Sequence, residues 1–167
     1  MKIPLNPFDK ERACGGSSGG AAGFTQKASF PHIALSESTG GSIVCPASFC
    51  GVIGLCPTYG RVSRYGLMDY ANSLDKIGIM SKYIEDAALM LEVISGYDEK
   101  DSTSANVPVD KFTDYLGKDI KKFKIGVIKE SLGEGTDDAV RKHTEDYISK
   151  LESEGADYEE VSLPITM

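Results

Sequence analysis

The stretch Thr39-Gly40-Gly41-Ser42 leads into Ile43-Val44-Cys45-Pro46-Ala47-Ser48-Phe49-Cys50-Gly51 and follows a short apolar run from Phe30 to Leu35. Two adjacent glycines allow a sharp backbone turn and leave amide N–H groups uncovered by side chains. A serine directly after them can be presented beside those free donors. Acyl transfer needs that arrangement: a nucleophilic hydroxyl next to a pocket for the developing oxyanion. Read alone, the same four residues could be a flexible Gly/Ser loop. A second loop upstream, Cys14-Gly15-Gly16-Ser17-Ser18-Gly19-Gly20-Ala21-Ala22-Gly23, bears on the choice. It runs into small, helix-compatible residues and then a strand, which predicts a turn feeding a tightly packed helix rather than a linker.

The rest of the chain reads as α/β. Met1 to Arg12 is an extended arm, because Pro4 and Pro7 push the residues before them out of the helical region. Ser29 to Ser36 has β-character through Phe30, Ile33 and Leu35. Pro46 to Phe49 fits a brief helix with Pro46 in its first turn. Pro57-Thr58-Tyr59-Gly60 and Tyr65-Gly66 are turn signals. Ile84, Ala87, Ala88, Leu91 and Ile94 share one helical face, closed by Gly96. Tyr97 to Lys118 is polar and reads as a surface excursion. Phe123 to Ile128 is a strand, Ser131 to Gly135 a loop, and Thr136 is the expected cap of a helix. That helix carries Asp137 and Asp138 in its first turn and a stripe of Val140, Thr144, Tyr147, Ile148 and Leu151, and Gly155 ends it. Tyr158 to Leu163 reads as a strand stopped by Pro164, which makes a βαβ unit with parallel strands.

Composition narrows the function. The chain has 167 residues, 41% hydrophobic and 26% charged, enough for one ordinary globular domain with a real core. A net charge of -7 gives no footprint for broad phosphate-backbone binding. No apolar run is long enough to cross a bilayer, and the N-terminus lacks a signal-peptide core, so a soluble, cytoplasmic protein is expected. Cys14, Cys45, Cys50 and Cys56 form no CxxC pair, and His32 and His143 show no ligand spacing to them. The thiols are expected to be small buried hydrophobes rather than metal ligands.

Among catalytic motifs, a P-loop lysine and GxGxxG are both missing. Gly16-Ser17-Ser18-Gly19-Gly20 satisfies GxSxG, as does Gly15-Gly16-Ser17-Ser18-Gly19, but that elbow needs a strand directly before it and Asp9-Lys10-Glu11-Arg12 is a poor one. It also needs a histidine base. His32 is expected to be packed and His143 solvated. A serine without histidine can use a neutral lysine, with the proton relayed through a second hydroxyl. Two serine-bearing loops that meet would supply the hydroxyls, and Ser18 and Ser42 sit on two such loops.

Taken together, Gly15 to Gly20, Thr39-Gly40-Gly41-Ser42-Ile43 and Pro46 to Gly51 resemble the amidase signature family. Pro57 to Leu67, Ser73-Leu74-Asp75, Asp101 to Asn106 and Leu132 to Gly135 are similar to its Glu-tRNA(Gln) amidotransferase A-subunit branch. The resemblance implies the family's fold, a mixed twisted β-sheet covered by helices on both faces and present here in part. Residues 1–167 would be a partial amidase signature domain, with the lysine-bearing N-terminal segment and the C-terminal part missing; Lys2 matches a non-catalytic lysine. It implies Ser42 as nucleophile toward glutamine and Ser18 as the bridging serine, held in a cis peptide. The N–H groups of Thr39, Gly40, Gly41 and Ser42 would form the oxyanion hole. No cofactor or metal is implied in this chain. ATP and Mg are expected at a partner B subunit, which would use the released ammonia on Glu-tRNA(Gln). The B and C subunits are the implied partners, with no membrane. Three positions depart from the family's usual residues: Ser36-Glu37-Ser38 for Gly-Ser-Asp, Val44 for Arg, and Cys56 for Lys. Ser38 removes a carboxylate beside the site. A stand-alone amidase, or a non-catalytic remnant that keeps only the fold or a docking surface, are the alternatives.

Overall fold

The computed structural model describes residues 3–164, so Lys2 lies outside the described residues. The chain forms two compact units, Met1–Leu116 and Gly117–Met167. Both are α/β, built from helices and open sheets.

The first unit carries α1 (Gly19–Lys27), β1 (Ile33–Ser38), α2 (Val44–Cys50), β2 (Ile53–Leu55), β3 (Lys76–Ser81) and α3 (Ile84–Ile94). β3 is the central strand, antiparallel to β1 on one side and β2 on the other. Its side chains alternate between faces. Ile77 and Ile79 pack with Ala87 and Leu91 of α3, joined by Ile33, Ile53 and Leu55. Met80 packs with Cys14, Ala22, Ile43 and Cys50, from the α1 and α2 side. Helices therefore cover both faces of this sheet. Ile43, Ile79 and Met80 are fully buried, and each contributes about 1.5–3 kcal/mol through burial. α1 offers mostly Gly and Ala, so its gain is closeness rather than area.

β2 and β3 are absent from the sequence expectations. Both contain a mid-strand glycine, which weakens the strand pattern. The reason for the glycines is close approach. A Cβ at Gly54 would lie 2.6 Å from the Ala47 Cβ, and one at Gly78 would lie 2.3 Å from the Leu55 carbonyl oxygen. Gly54 faces α2, and Gly78 faces the neighbouring strand and Ile43, the residue before α2.

The segment from residue 97 to residue 118 is irregular as expected, but it is more than surface. Asp101 and Ser104 are buried. The Asp101 carboxylate accepts the Arg64 and Thr103 N–H groups, at 2.8 and 2.9 Å. The Arg64 guanidinium donates to Asn72 and Thr103 and stacks over the Tyr59 ring. A 3-10 turn, Phe112–Tyr115, is tied to α3 by Glu92, which accepts from the Thr113 N–H and hydroxyl.

In the second unit, β4 (Lys124–Ile128) pairs in parallel with β5 (Asp157–Val161), and α4 (Asp138–Ser153) lies between them in sequence. The expected βαβ unit is present. The helix cap differs from expectation: Asp137, not Thr136, accepts the Ala139 N–H. The Thr136 hydroxyl is turned back to the Ser131 carbonyl, which leaves the next residue to cap. Within the expected stripe, Thr144, Ile148 and Leu151 are half-buried, whereas Val140 and Tyr147 are exposed.

The loop frame can be tested at two glycines and two acids. Gly60 has φ +83, and a Cβ there would lie 2.6 Å from the Thr103 carbonyl oxygen. Gly60→Ala should cost roughly 2–4 kcal/mol, from backbone strain plus overlap. Gly66 has the same φ but open space, so Gly66→Ala should cost only about 1–2 kcal/mol. Denaturant midpoints measure both, and equal losses would contradict the overlap at Gly60. The acids act through pH. The Ser63 hydroxyl and the Lys100 N–H hold the Asp98 carboxyl below the usual carboxylate range, and the Arg64 N–H and Thr103 hydroxyl do the same for Asp101. Their folded pKa values lie below the unfolded ones. Their stabilisation is therefore present above about pH 4 and is lost as pH falls through the folded values. Asp101→Asn should lower stability at pH 7 and flatten its decline between about pH 5 and 2; parallel curves for both chains would contradict this.

Candidate active site

The two Gly/Ser loops meet. The Ser18 N–H donates to the Ser42 carbonyl at 3.2 Å, and the Ser18 hydroxyl donates to the Glu37 carbonyl at 3.3 Å. Ser18 also begins α1, with its carbonyl accepting the Ala22 N–H. The first loop lies against α2: a Cβ at Gly15 would be 3.2 Å from Cys45, Pro46 and Phe49 atoms. The second loop bridges the end of β1 and the start of α2, so Ser42 emerges where strand gives way to helix.

Among the described residues, the Ser42 hydroxyl has no hydrogen-bond partner, and the N–H groups of Gly40, Gly41 and Ser42 have no protein acceptor. Neither glycine has a positive φ, so the turn itself does not demand them. A Cβ at Gly40 would meet nothing within 4 Å, and one at Gly41 would meet only the Cys45 Cβ, at 3.9 Å. Packing does not demand them either. What their missing side chains provide is open space in front of unpaired donors, the requirement for an oxyanion pocket.

One expectation is corrected here. The cis peptide expected at Ser18 lies one residue earlier, between Gly16 and Ser17. The peptide groups on both sides of Ser18 are engaged, its N–H by the Ser42 carbonyl and its carbonyl by the Ala22 N–H. Ser17 is exposed and Ser18 half-buried.

The start of the second loop is held by a residue whose role the sequence did not single out. The Thr39 hydroxyl donates to the Asp75 carboxylate at 2.6 Å, and the Glu37 carboxylate lies 3.1 Å from the same hydroxyl. Asp75 is fully buried, and its other oxygen accepts the Tyr70 and Ala71 N–H groups at 2.6 and 2.8 Å. The Thr39 hydroxyl, followed by those backbone donors, holds the Asp75 carboxyl below the usual carboxylate range. Asp75 was visible in sequence only as part of Ser73-Leu74-Asp75. Of the departures, Ser38 is buried, Val44 exposed and Cys56 half-buried. The carboxylate missing at Ser38 has a neighbour in Glu37, which reaches the loop's first hydroxyl.

Other candidate residues are placed elsewhere. His32 is packed as expected: its Nδ1 is 3.2 Å from the Thr25 hydroxyl, and the Phe24 ring meets it edge-on. His143 is exposed on α4. Among the described residues no strand precedes the first loop, so the nucleophile-elbow context is not met. The Lys76 and Lys82 amines donate to the Leu74 and Ala28 carbonyls, and among the described residues no lysine bonds to Ser17, Ser18 or Ser42. Cys14 and Cys50 are buried, and Cys45 and Cys56 half-buried. Burial pushes the Cys50 thiol up to about 11, away from nucleophile or ligand chemistry. Among the described residues, no group of three or more His, Cys, Asp or Glu could hold a metal ion, and no helix is long and apolar enough to cross a membrane.

Comparison with known proteins bears on this geometry. The amidase family model matches residues 2–166. The chain is 55% identical, over 96% of its length, to the A subunit of the Glutamyl-tRNA(Gln) amidotransferase from Koribacter versatilis, covering 33% of that protein. It is 54% identical, over 98% of its length, to the protein of the same name from Geobacillus kaustophilus, covering 34% of it. The crystal structure of the Thermotoga maritima counterpart, also a Glutamyl-tRNA(Gln) amidotransferase A subunit, superposes with a TM-score of 0.90 at 42% identity, over 96% of this chain and 35% of that one. The chain thus spans about a third of the length of the relatives it matches. With two meeting serine loops and a family match from end to end, the chain belongs to the amidase family.

Proposed function

We propose that the chain carries the nucleophile of a glutamine-hydrolysing site and works as the amidase component of a Glu-tRNA(Gln) amidotransferase, a carbon–nitrogen ligase with glutamine as amido donor. The observation that carries this reading is the Ser18–Ser42 backbone bond, which joins two hydroxyl-bearing loops in front of unpaired N–H groups. The names of the relatives support the choice of substrate and assembly.

In this scheme the Ser42 Oγ attacks the side-chain carbonyl carbon of glutamine. The N–H groups of Thr39, Gly40, Gly41 and Ser42 face the oxygen as it gains negative charge. The Ser42 proton passes by way of Ser18 toward a lysine, and on to the departing nitrogen, which leaves as ammonia. Water then cleaves the glutamyl ester and frees Ser42. The B and C subunits complete the assembly, with ATP and Mg used at the B subunit to transfer the ammonia to Glu-tRNA(Gln); this chain holds neither. In this reading the lysine is contributed from outside the described residues, and the Lys76 and Lys82 amines are bonded to backbone carbonyls instead. The proposed assembly would work in the cytoplasm.

A serine without its base is a weak nucleophile. The purified 167-residue chain should therefore release no ammonia from glutamine above background. Within a complete amidase subunit, Ser42→Ala should lower ammonia release by about 10³-fold or more, and Ser18→Ala by roughly 10²-fold or more. Coupled glutamate and ammonia assays measure both. Ser42-dependent release by the chain alone would refute the missing-base account, full activity of Ser42→Ala would put the nucleophile elsewhere, and no release by the complete wild-type subunit would favour the non-catalytic remnant.

A further inference from the structure

We infer that Asp75 is a positioning residue for the candidate nucleophile loop: its buried carboxylate fixes the Thr39 hydroxyl and so sets where Gly40, Gly41 and Ser42 stand. The inference rests on Ser42 as nucleophile only for its catalytic consequence; the mechanical claim stands on geometry alone.

The β1–β3 ladder ends at the pair Ser38↔Lys76. Thr39 and Asp75 are the next residues along each strand's line. Here the two segments stop exchanging backbone hydrogen bonds, and a side-chain bond, hydroxyl to carboxylate at 2.6 Å, takes over. The ladder is thus extended by one position at the point where the catalytic loop departs.

The anchor end is fixed independently. Two backbone N–H groups hold the second carboxylate oxygen, and the Ala71 carbonyl accepts the Leu74 and Asp75 N–H groups at 2.8 and 2.9 Å, closing a tight turn around it. That turn is pinned at Asn72 by Arg64 and by the Tyr59 hydroxyl. The loop end is otherwise weakly held. Gly40 and Gly41 have almost nothing to pack against, and the remaining ties come later, at the Ser42 carbonyl and at the Cys45 N–H bonded to the Gly41 carbonyl. Glu37 cannot do the same job. It lies on β1, on the loop's own side of the ladder, so a bond to it does not tie the loop across to the β3 side, and its 3.1 Å contact is the longer of the two. A hydroxyl has one proton to give, and the shorter contact to the fixed, fully buried carboxylate is where it goes. A charge-assisted bond of this kind is also stronger than a neutral one.

The test is hydrogen exchange read by mass spectrometry on the purified chain, comparing wild type with Thr39→Val, Thr39→Ser, Asp75→Asn and Glu37→Gln. Peptides containing Ser18 and Cys45 report the two bonds at the far end of the loop, and peptides containing Ile79 and Met80 report the sheet. Thr39→Val and Asp75→Asn should speed exchange at the Ser18 and Cys45 amides by about tenfold or more, while the sheet amides keep their rates. Thr39→Ser should behave as wild type, and Glu37→Gln should change little. Should Asp75→Asn fail to fold, Thr39→Val carries the test. The inference is overturned if Thr39→Val leaves the Ser18 and Cys45 amides unchanged, if Glu37→Gln matches its effect, or if the sheet amides accelerate equally. In a complete amidase subunit, Thr39→Val should lower kcat about tenfold or more with KM little changed. Faster exchange together with an inert Ser42→Ala comparison would leave the anchor standing and remove the nucleophile reading instead.

Discussion

Ile43 is the constraint on which the site depends. It follows the candidate nucleophile directly, and it is fully buried. Its side chain fills the space left by two strand glycines. A Cβ at Gly78 would lie 2.8 Å from the Ile43 Cδ1, and one at Gly54 would lie 3.4 Å from the Ile43 Cγ2. A larger residue at Gly54 would press on Ala47 of α2, and one at Gly78 would press on the Leu55 carbonyl and on Ile43, next to Ser42. Close-packed interiors have little room to absorb such a shift. The strand glycines are thus part of the site although they lie behind it.

Around that plug the polar contacts divide the work. The core holds the loop from behind, Ser18 holds its carbonyl side, and Asp75 holds its first hydroxyl. Between these ties, Gly40 and Gly41 leave their N–H groups bare. The pattern suits acyl transfer, where donors must be in place before charge develops and must not be spent on the protein itself. The substitutions at Ser38 and Val44 leave this frame intact. Nothing in the structure explains Val44, which is exposed at the start of α2.

Much of this was legible in the sequence because it rests on local chemistry. The Gly/Ser loops, the helix from Ile84, and the βαβ pattern of the second unit each depend on spacing and turn residues near in sequence. What escaped depends on distant partners. β2 and β3 were hidden by Gly54 and Gly78, whose reason is close approach: Ala47 of α2 on Gly54, and the Leu55 carbonyl of the neighbouring strand with Ile43 on Gly78. Asp75 looked like one acid in a polar stretch, since its meaning comes from Thr39, thirty-six residues away in sequence. The cap at α4 went to Asp137 because the Thr136 hydroxyl had a carbonyl behind it to bond. The cis bond fell before Ser17, one residue ahead of the serine whose N–H meets Ser42. Of the two reasons the sequence offers for the glycines of the second loop, the uncovered N–H groups fit the geometry, whereas the turn needs no positive φ.

The central claim is that the two serine loops make one site with Ser42 as its nucleophile. The direct measurement is to quench the complete amidotransferase containing this chain in acid during glutamine turnover, then map the adduct by peptide mass spectrometry. The account predicts a hydroxylamine-sensitive glutamyl ester on the peptide and side chain of Ser42, absent when glutamine is withheld. An ester on Ser17 or Ser18 instead, or turnover with no acylated serine in this chain, would contradict it.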